Sequence, residues 1–391
     1  MAFVETFALS TGVATTTQSR TGYGFQPVAA VFIAADQQAG STMCISRGAA
    51  VSASSRICVD WVQQDNTTNA VEGDLFPFRS AASVVRYHDE SSTLTGAWDL
   101  DSFDSDGLTL IVDTQNIVAG NVTVIAWSAD EVLDSEIVDW STDASTGDTD
   151  ITGSTIGSPN LALHFGLTFF GASTRSGLGN AISALAADLP TVNPTNAHAL
   201  ANDVECTASV STTGSVANRG RVTAWLSNGF THTVDEGGSS IAVYSLMLRV
   251  PAAGIGTVQT ETSLTTFNAS SPVNTQSLLF CSASEAEDST DSSHADARFT
   301  MGVCDGSLNQ GCIGFWSEDG VDPTDVNQTE ASDAVYRSLD VSAGTLDGEF
   351  SVSGISGTNL SFSMDDAESG QAFVWFVAIG TPIARGAPIF F

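Results

Sequence analysis

The chain has 391 residues, of which 45 are acidic and 12 basic, giving a formal net charge of −33. A surface this negative repels phosphate backbones and anionic lipids, so composition argues against nucleic-acid binding and membrane-surface binding. Hydrophobic residues make up 42%, which excludes a disordered chain and suffices for two or three domains. No apolar run reaches the roughly 18 residues of a membrane helix, so no membrane insertion is predicted.

All basic residues are Arg, and Lys is absent. With abundant Asp this composition fits a salt-adapted, halophilic source, although codon bias explains it equally well. The segment Met1 to Leu9 lacks the basic and apolar regions of a signal peptide, so a cytoplasmically made protein is expected.

Three features recur in the same order along the chain, and the first is an apolar strand that follows a proline. The three prolines are Pro27, Pro159 and Pro272. The second feature is a late hairpin around an aromatic residue: Trp98, Trp225 and Phe350, with turns at Asp106-Gly107, Asn228-Gly229 and Gly354 to Gly357. Asp-Gly and Asn-Gly between apolar runs are strong hairpin signals.

The third feature is a closing strand at 122–127, 241–248 and 372–379. Near-continuous apolar runs of this kind indicate strands covered on both faces. A middle strand is predicted at 57–61 in the first copy and at 312–316 in the third. In this alignment of the two copies Trp61 matches Trp316. In the second copy the only candidate for this strand is 181–185, and the segment 181–188 that contains it fits a short helix equally well.

Short strands and frequent turns recur in the same order three times along the chain. This pattern predicts an all-β protein of three tandem β-sandwich, jelly-roll-like modules. The predicted domains are 1–131, 132–251 and 252–391. Connecting regions are expected near 132–150 and 250–262.

Candidate sites are few, and no catalytic residue, cofactor site or zinc motif is predicted. Asp99, Asp101, Asp104 and Asp106 form an oxygen-rich cluster suited to calcium. Its spacing is not that of an EF-hand, and a solvated acidic edge that blocks strand addition explains it as well.

Two cysteine pairs are candidate disulfides. Cys304 and Cys312 flank one turn, and Cys44 and Cys58 are interpreted as their counterparts in the first copy. Facing positions across a hairpin would allow each bond, and reduced, buried cysteine is the alternative.

The opening Gly24-Phe25-Gln26-Pro27, followed by Val28 to Val31, resembles the G-F-x-P strand opening of β-rich structural proteins of tailed viruses, either bacteriophages or haloarchaeal viruses. The segment from Met301-Gly302-Val303 to Gly311-Cys312-Ile313-Gly314 resembles a later segment of such proteins. The resemblance implies a virion location, as a head decoration, spike or tail component. It implies capsid or tail proteins as partners, and it carries over no catalytic residues.

The leading expectation is therefore a non-enzymatic virion structural protein that forms a homo-oligomer. A carbohydrate-binding or adhesion protein is the alternative, with a host-surface glycan as partner. It requires Trp61, Trp140 or Trp316 to be exposed. A polysaccharide hydrolase is a third hypothesis, which requires two carboxylates across an aromatic cleft.

Overall fold

The computed structural model describes residues 1–36, 42–64, 75–89, 93–114, 120–167, 169–175, 182–187, 197–202, 206–210, 216–282, 293–295, 297–317, 326–340 and 344–383. Every regular element within those ranges is a β-strand, which confirms the all-β class. No helix in the described ranges is long and apolar enough to cross a membrane.

In its described residues the first copy contains ten strands: β1 (Ala2–Ala8), β2 (Thr17–Thr21), β3 (Pro27–Asp36), β4 (Thr42–Ser52), β5 (Ser55–Gln64), β6 (Leu75–Ser80), β7 (Val85–His88), β8 (Leu94–Asp104), β9 (Gly107–Thr114) and β10 (Asn121–Ser128). They form a six-stranded sheet, β1-β10-β3-β4-β5-β6, and a four-stranded sheet, β2-β9-β8-β7. The two sheets face each other across a buried cluster that includes Phe32, Trp98 and Leu110.

The second copy repeats this order with β11 (Asp134–Ser141), β12 (Gly147–Thr152), β13 (Leu161–Gly166), β14 (Phe169–Thr174), β15 (Ile182–Ala187), β16 (Ala197–Asn202), β17 (Thr207–Val210), β18 (Val216–Trp225), β19 (Gly229–Glu236) and β20 (Ala242–Arg249). Its sheets are β11-β20-β13-β14-β15-β16 and β12-β19-β18-β17. The segment that fitted either helix or strand is therefore a strand, β15.

The third copy contains β21 (Ala252–Gln259), β22 (Thr266–Ser270), β23 (Asn274–Ser282), β24 (Ser293–Ala295), β25 (Ala297–Asp305), β26 (Gln310–Ser317), β27 (Val326–Ala331), β28 (Tyr336–Leu339), β29 (Leu346–Ser356), β30 (Asn359–Asp366) and β31 (Phe373–Thr381). Its sheets are β21-β31-β23-β25-β26-β27 and β22-β30-β29-β28, while β24 extends the large sheet of the second copy beside β16.

One glycine marks the same close approach in all three copies. Gly48, Gly171 and Gly302 each lie in the strand next to the strand that follows the proline. A Cβ atom added there would lie 2.0 Å from the Val84 carbonyl oxygen, 2.3 Å from that of Cys206 and 2.0 Å from that of Val335. The second sheet therefore passes over the first at one equivalent point in each copy.

The register corrects two details of the predicted repeat. In each late hairpin the pairing shifts at two points, and the residue after the first shift is Trp98, Gly220 or Phe350. Gly220, not Trp225, is therefore the counterpart of Trp98. Likewise Gly48 pairs with Cys58 and Gly302 with Cys312, so the middle strands match one residue away from the predicted alignment.

The connecting regions predicted near 132–150 and 250–262 are wrong, because strands occupy them. Each copy begins with two strands that precede the proline: β1 and β2, β11 and β12, β21 and β22. The links between copies are only 129–133 and 250–251. The predicted domain limits fall within or at the edge of these links, and as limits of independent folding units they stay a prediction.

The outer faces of the three large sheets meet in one shared core. This central cluster takes Ile125 and Trp127 from the first copy, Leu163 and Leu246 from the second, and Leu279 from the third. The closing strands β10, β20 and β31 are consequently buried on both faces, as their apolar runs predicted. Burial on this scale is the dominant favourable term in folding.

Contacts between copies follow a cycle. β1 packs on β25 and β26 of the third copy, β11 on β4 and β5 of the first, and β21 on β14 of the second. Each copy thus presents its first strand to the fourth strand of the preceding copy's large sheet. A head-to-tail contact of this kind closes when the rotation permits, and here one chain forms a closed ring of three.

The ring has two unlike ends. At the short-turn end, residues 53–54 join β4 to β5, residues 105–106 join β8 to β9, and both links between copies occur. The opposite, long-connection end is where β5 ends at Gln64 and β6 begins at Leu75, and where β26 ends at Ser317 and β27 begins at Val326.

Candidate functional site

The predicted calcium cluster lies on and beside the β8–β9 hairpin, where its members have separate partners. Asp99 forms an ion pair with Arg56 at 3.0 Å, and burial raises its pKa. The carboxylate of Asp104 accepts hydrogen bonds from Ser102 and Thr109.

Asp106 accepts bonds from the backbone N–H groups of Gly22 and Gly24, while Asp101 is exposed. Within the described residues no group of three acidic, His or Cys side chains is arranged to hold a metal ion. The carboxylates of Asp99, Asp104 and Asp106 instead form bonds that hold the hairpin to its neighbouring residues.

The four candidate disulfide cysteines are buried thiols that form no disulfide bond. Cys44 lies opposite Val62 and Cys58 opposite Gly48, so the predicted first pair does not face across the hairpin. Cys304 lies opposite Gln310, and Cys312 lies opposite Gly302. The alternative of small buried thiols describes all four, and burial raises the pKa of Cys58, Cys304 and Cys312.

The aromatic platform expected of a carbohydrate-binding protein is not formed by the predicted residues. Trp61 and Trp316 are each 1% exposed, and Trp140 is 8% exposed. Trp61 lies in the central cluster, and Trp140 lies in the core of the second copy. The requirement of the carbohydrate-binding alternative is therefore not met by these three residues.

The first copy contains a buried ionic cluster that the sequence did not indicate. His88 Nδ1 lies 2.6 Å from Asp60 Oδ2, and Arg86 lies 3.7 Å from the other Asp60 oxygen. An Asp–His pair supplies two of the three members of a nucleophile triad. However, His88 Nε2 faces the Arg86 guanidinium at 3.2 Å, not a serine or cysteine, and the His88 ring stacks on Phe78.

The second copy contains a chain of buried hydrogen bonds centred on His164. Trp140 Nε1 donates to Ser245 Oγ at 2.7 Å. His164 Nδ1 lies 2.8 Å from Ser245 Oγ, and its Nε2 lies 3.1 Å from Ser173 Oγ. A neutral imidazole that accepts at Nδ1 and donates at Nε2 satisfies every member.

His232 lies in the same core, with its Nε2 atom 2.9 Å from Thr207 Oγ1 and its ring centroid 4.9 Å from that of Trp140. Burial lowers the pKa of His164 to about 3, with a further contribution from His232. Burial also lowers the pKa of His232 to about 4, against the opposing effect of Asp143. Both imidazoles are therefore neutral core residues at pH 7.

A small cleft opens in the third copy near the long-connection end. It is lined by Arg298, Trp316 and Tyr336, among others, and its volume is about 10 Å³, room for a single water molecule. Behind it, the Tyr336 and Ser338 hydroxyls donate to Glu368 Oε1, each at 2.7 Å. Burial raises the pKa of Glu368.

None of these described clusters combines a nucleophile, an aligned base and room for a substrate. What the structure brings together instead is the ring: three similar sandwiches on one core. Comparisons with known proteins add no family, because neither the family models nor the curated proteins give a match.

Proposed function

We propose that the chain is a non-enzymatic structural protein of a virion, exposed on the particle as a head decoration, spike or tail component. The observation that carries the proposal is the closed ring of three similar sandwiches around one apolar core. Particle positions of local threefold symmetry need a body with that symmetry. One chain with three fused copies would supply it without assembling three subunits.

The two unlike ends support a surface role. The short-turn end offers tight hairpins and the links between copies, suited to a fixed base on capsid or tail proteins. The opposite end, where β6 begins at Leu75 and β27 begins at Val326, would face outward, and a host-surface contact would lie there. A net charge of −33 keeps such a particle soluble in salt water and repels packaged nucleic acid.

Antibodies against the recombinant chain test this role on virus particles purified from the source culture. We expect gold-labelled antibody to decorate intact particles at regular positions, and pre-adsorption with the recombinant chain to abolish the label. Particles that carry their other structural proteins but lack this chain by mass spectrometry would contradict the proposal.

Further association of chains is a separate prediction. Because the ring closes within one chain, the threefold arrangement needs no partner chain, and homo-oligomers would form through outer surfaces or on the particle. Native mass spectrometry across a concentration series distinguishes a monomer from an oligomer.

A further inference from the structure

One cation lies where the three copies meet. Arg47, in β4, is completely buried. Its guanidinium carbon lies 4.3 Å from the Trp61 ring centroid of the same copy and 5.3 Å from that of Phe299 in the third copy. Its Nη2 donates to the Gly166 carbonyl of the second copy at 3.2 Å. All three copies therefore contact this one side chain.

The equivalent positions in the other copies are apolar. Gly48, Gly171 and Gly302 are matched by their close approach, and the preceding residues are Arg47, Phe170 and Met301. Phe170 and Met301 also lie in the central cluster. The fold therefore does not require a cation there, and Arg47 is a feature of the first copy alone.

Three N–H donors at this junction have no acceptor. The Nε and Nη1 atoms of Arg47 and the Nε1 atom of Trp61 are buried without a hydrogen-bond partner. Among the described residues, no ion pair or hydrogen bond joins the Arg47 guanidinium to a carboxylate. An unpaired buried guanidinium costs several kcal/mol, so a compensating acceptor is needed.

The nearby acidic groups do not supply that acceptor. Asp60 is paired with His88 and Arg86. Burial raises the pKa of the Cys58 thiol, which keeps it uncharged. Asp60 and Arg86 balance each other, so Arg47 leaves one excess positive charge. Among the described residues, Cys281 is the third titratable group whose charge acts on Arg47, and as a thiolate it would be a rival counter-charge.

We propose that the junction of the three copies binds one halide-sized monovalent anion, held by the Arg47 guanidinium and the Trp61 indole N–H. The anion would neutralise the buried cation and give the free N–H groups an acceptor. It would also link the first copy, through Arg47, to the second and third copies. The inference rests on the junction alone and is independent of a virion role.

Thermal unfolding tests this site in solution, with sodium held constant because a chain of charge −33 responds to cations. We compare sodium chloride and bromide with sodium gluconate, whose anion is too large for a buried site. The midpoint should rise by roughly 3 °C at saturating halide. Arg47→Met, which copies the third-copy residue, should lose this response, whereas Cys281→Ser should keep it.

Crystals of the unaltered chain grown in sodium bromide test the location without any variant. An anomalous peak within hydrogen-bonding distance of Arg47 and of Trp61 Nε1 would support the site. No peak there, or a peak without a halide-dependent midpoint in solution, overturns it. An equal halide response in Arg47→Met, or loss of the response in Cys281→Ser, overturns it as well.

Discussion

The cores of the second and third copies share one framework and differ in chemistry. Where the second copy has His164, Gly220, His232 and Ser245, the same register positions of the third copy hold phenylalanines: Phe280, Phe350, Phe362 and Phe376. The Phe280 ring centroid lies within about 6 Å of each of the other three.

The equivalent core positions are thus filled by aromatic rings in the third copy and by a polar network in the second. The third copy buries interlocking rings, which pack in edge-to-face and tilted pairs. The second copy uses a satisfied polar network, completed by Trp140, and His232 occupies the volume beside Gly220: a Cβ there would lie 2.5 Å from His232 Cε1. Buried polar networks are tolerated when every member is paired, but they make stability depend on protonation.

The largest expected effect is in the aromatic core. Phe350 is fully buried and contacts the rings of Phe267, Phe280 and Tyr336. Phe350→Ala should lower the free energy of unfolding by about 3–5 kcal/mol, since it removes a ring and leaves a cavity. Chemical denaturation measures this loss. The control is Trp225→Ala, at the half-buried position that the sequence alignment matched to Phe350, and it should lower the free energy of unfolding by less. Equal losses would refute the assigned register.

The close approach of the sheets should give the next effect. Gly302→Ala places a Cβ against the Val335 carbonyl, so we expect a loss of about 2–3 kcal/mol by the same measurement. Gly354→Ala is the matched control, because its nearest contact, Ser361, would be at 3.7 Å. A neutral Gly302→Ala would show that the sheets do not meet there.

Acid should weaken the second copy more than the third. The folded pKa values of His164 and His232 lie below the ordinary value near 6.5. The unfolded chain therefore binds more protons, and their stabilisation is present above pH 6.5 and is lost as pH falls towards 4. Each histidine should cost about 2 kcal/mol at pH 5 relative to pH 7.

His232→Leu, which copies Leu110 of the first copy, isolates this effect. It should cost about 1 kcal/mol at pH 7, through the lost bond to Thr207, and should reduce the acid sensitivity between pH 6.5 and 5. Denaturation curves at several pH values check the difference. Parallel pH profiles for the variant and the unaltered chain would contradict the buried neutral state.

The smallest effect concerns the acidic hairpin of the first copy. Because Asp99, Asp104 and Asp106 already have protein partners, calcium addition or chelation should leave the unfolding midpoint unchanged. A saturable rise with calcium that Asp104→Asn removes would restore the metal site predicted from sequence.

The periodic apolar pattern was sufficient for the strand class, the late hairpins and the closing strands. It misplaced Trp225 because an aromatic residue was matched to Trp98, whereas the position after the first register shift, which holds Trp98 in the first copy, holds Gly220 in the second. A one-residue slip in the middle strand likewise moves a side chain to the other face: Trp61 lies in the central cluster, whereas Trp316 lines the small cleft.

The ring itself could not be predicted from one sequence. Apolar outer faces on β10, β20 and β31 show that something covers them, but not that the three sheets cover one another. The histidine network was missed for a related reason. Isolated His and Ser residues in strands acquire meaning only when pairing puts His164 beside Ser245 and Ser173.

Closure of the three copies within one chain is tested most directly by small-angle X-ray scattering, with mass measured on the same sample. At a dilution where the measured mass is that of one 40.5 kDa chain, a closed ring of 391 residues should have a radius of gyration of about 21 Å. A value near 30 Å, roughly that of three sandwiches in a row, would contradict the shared core.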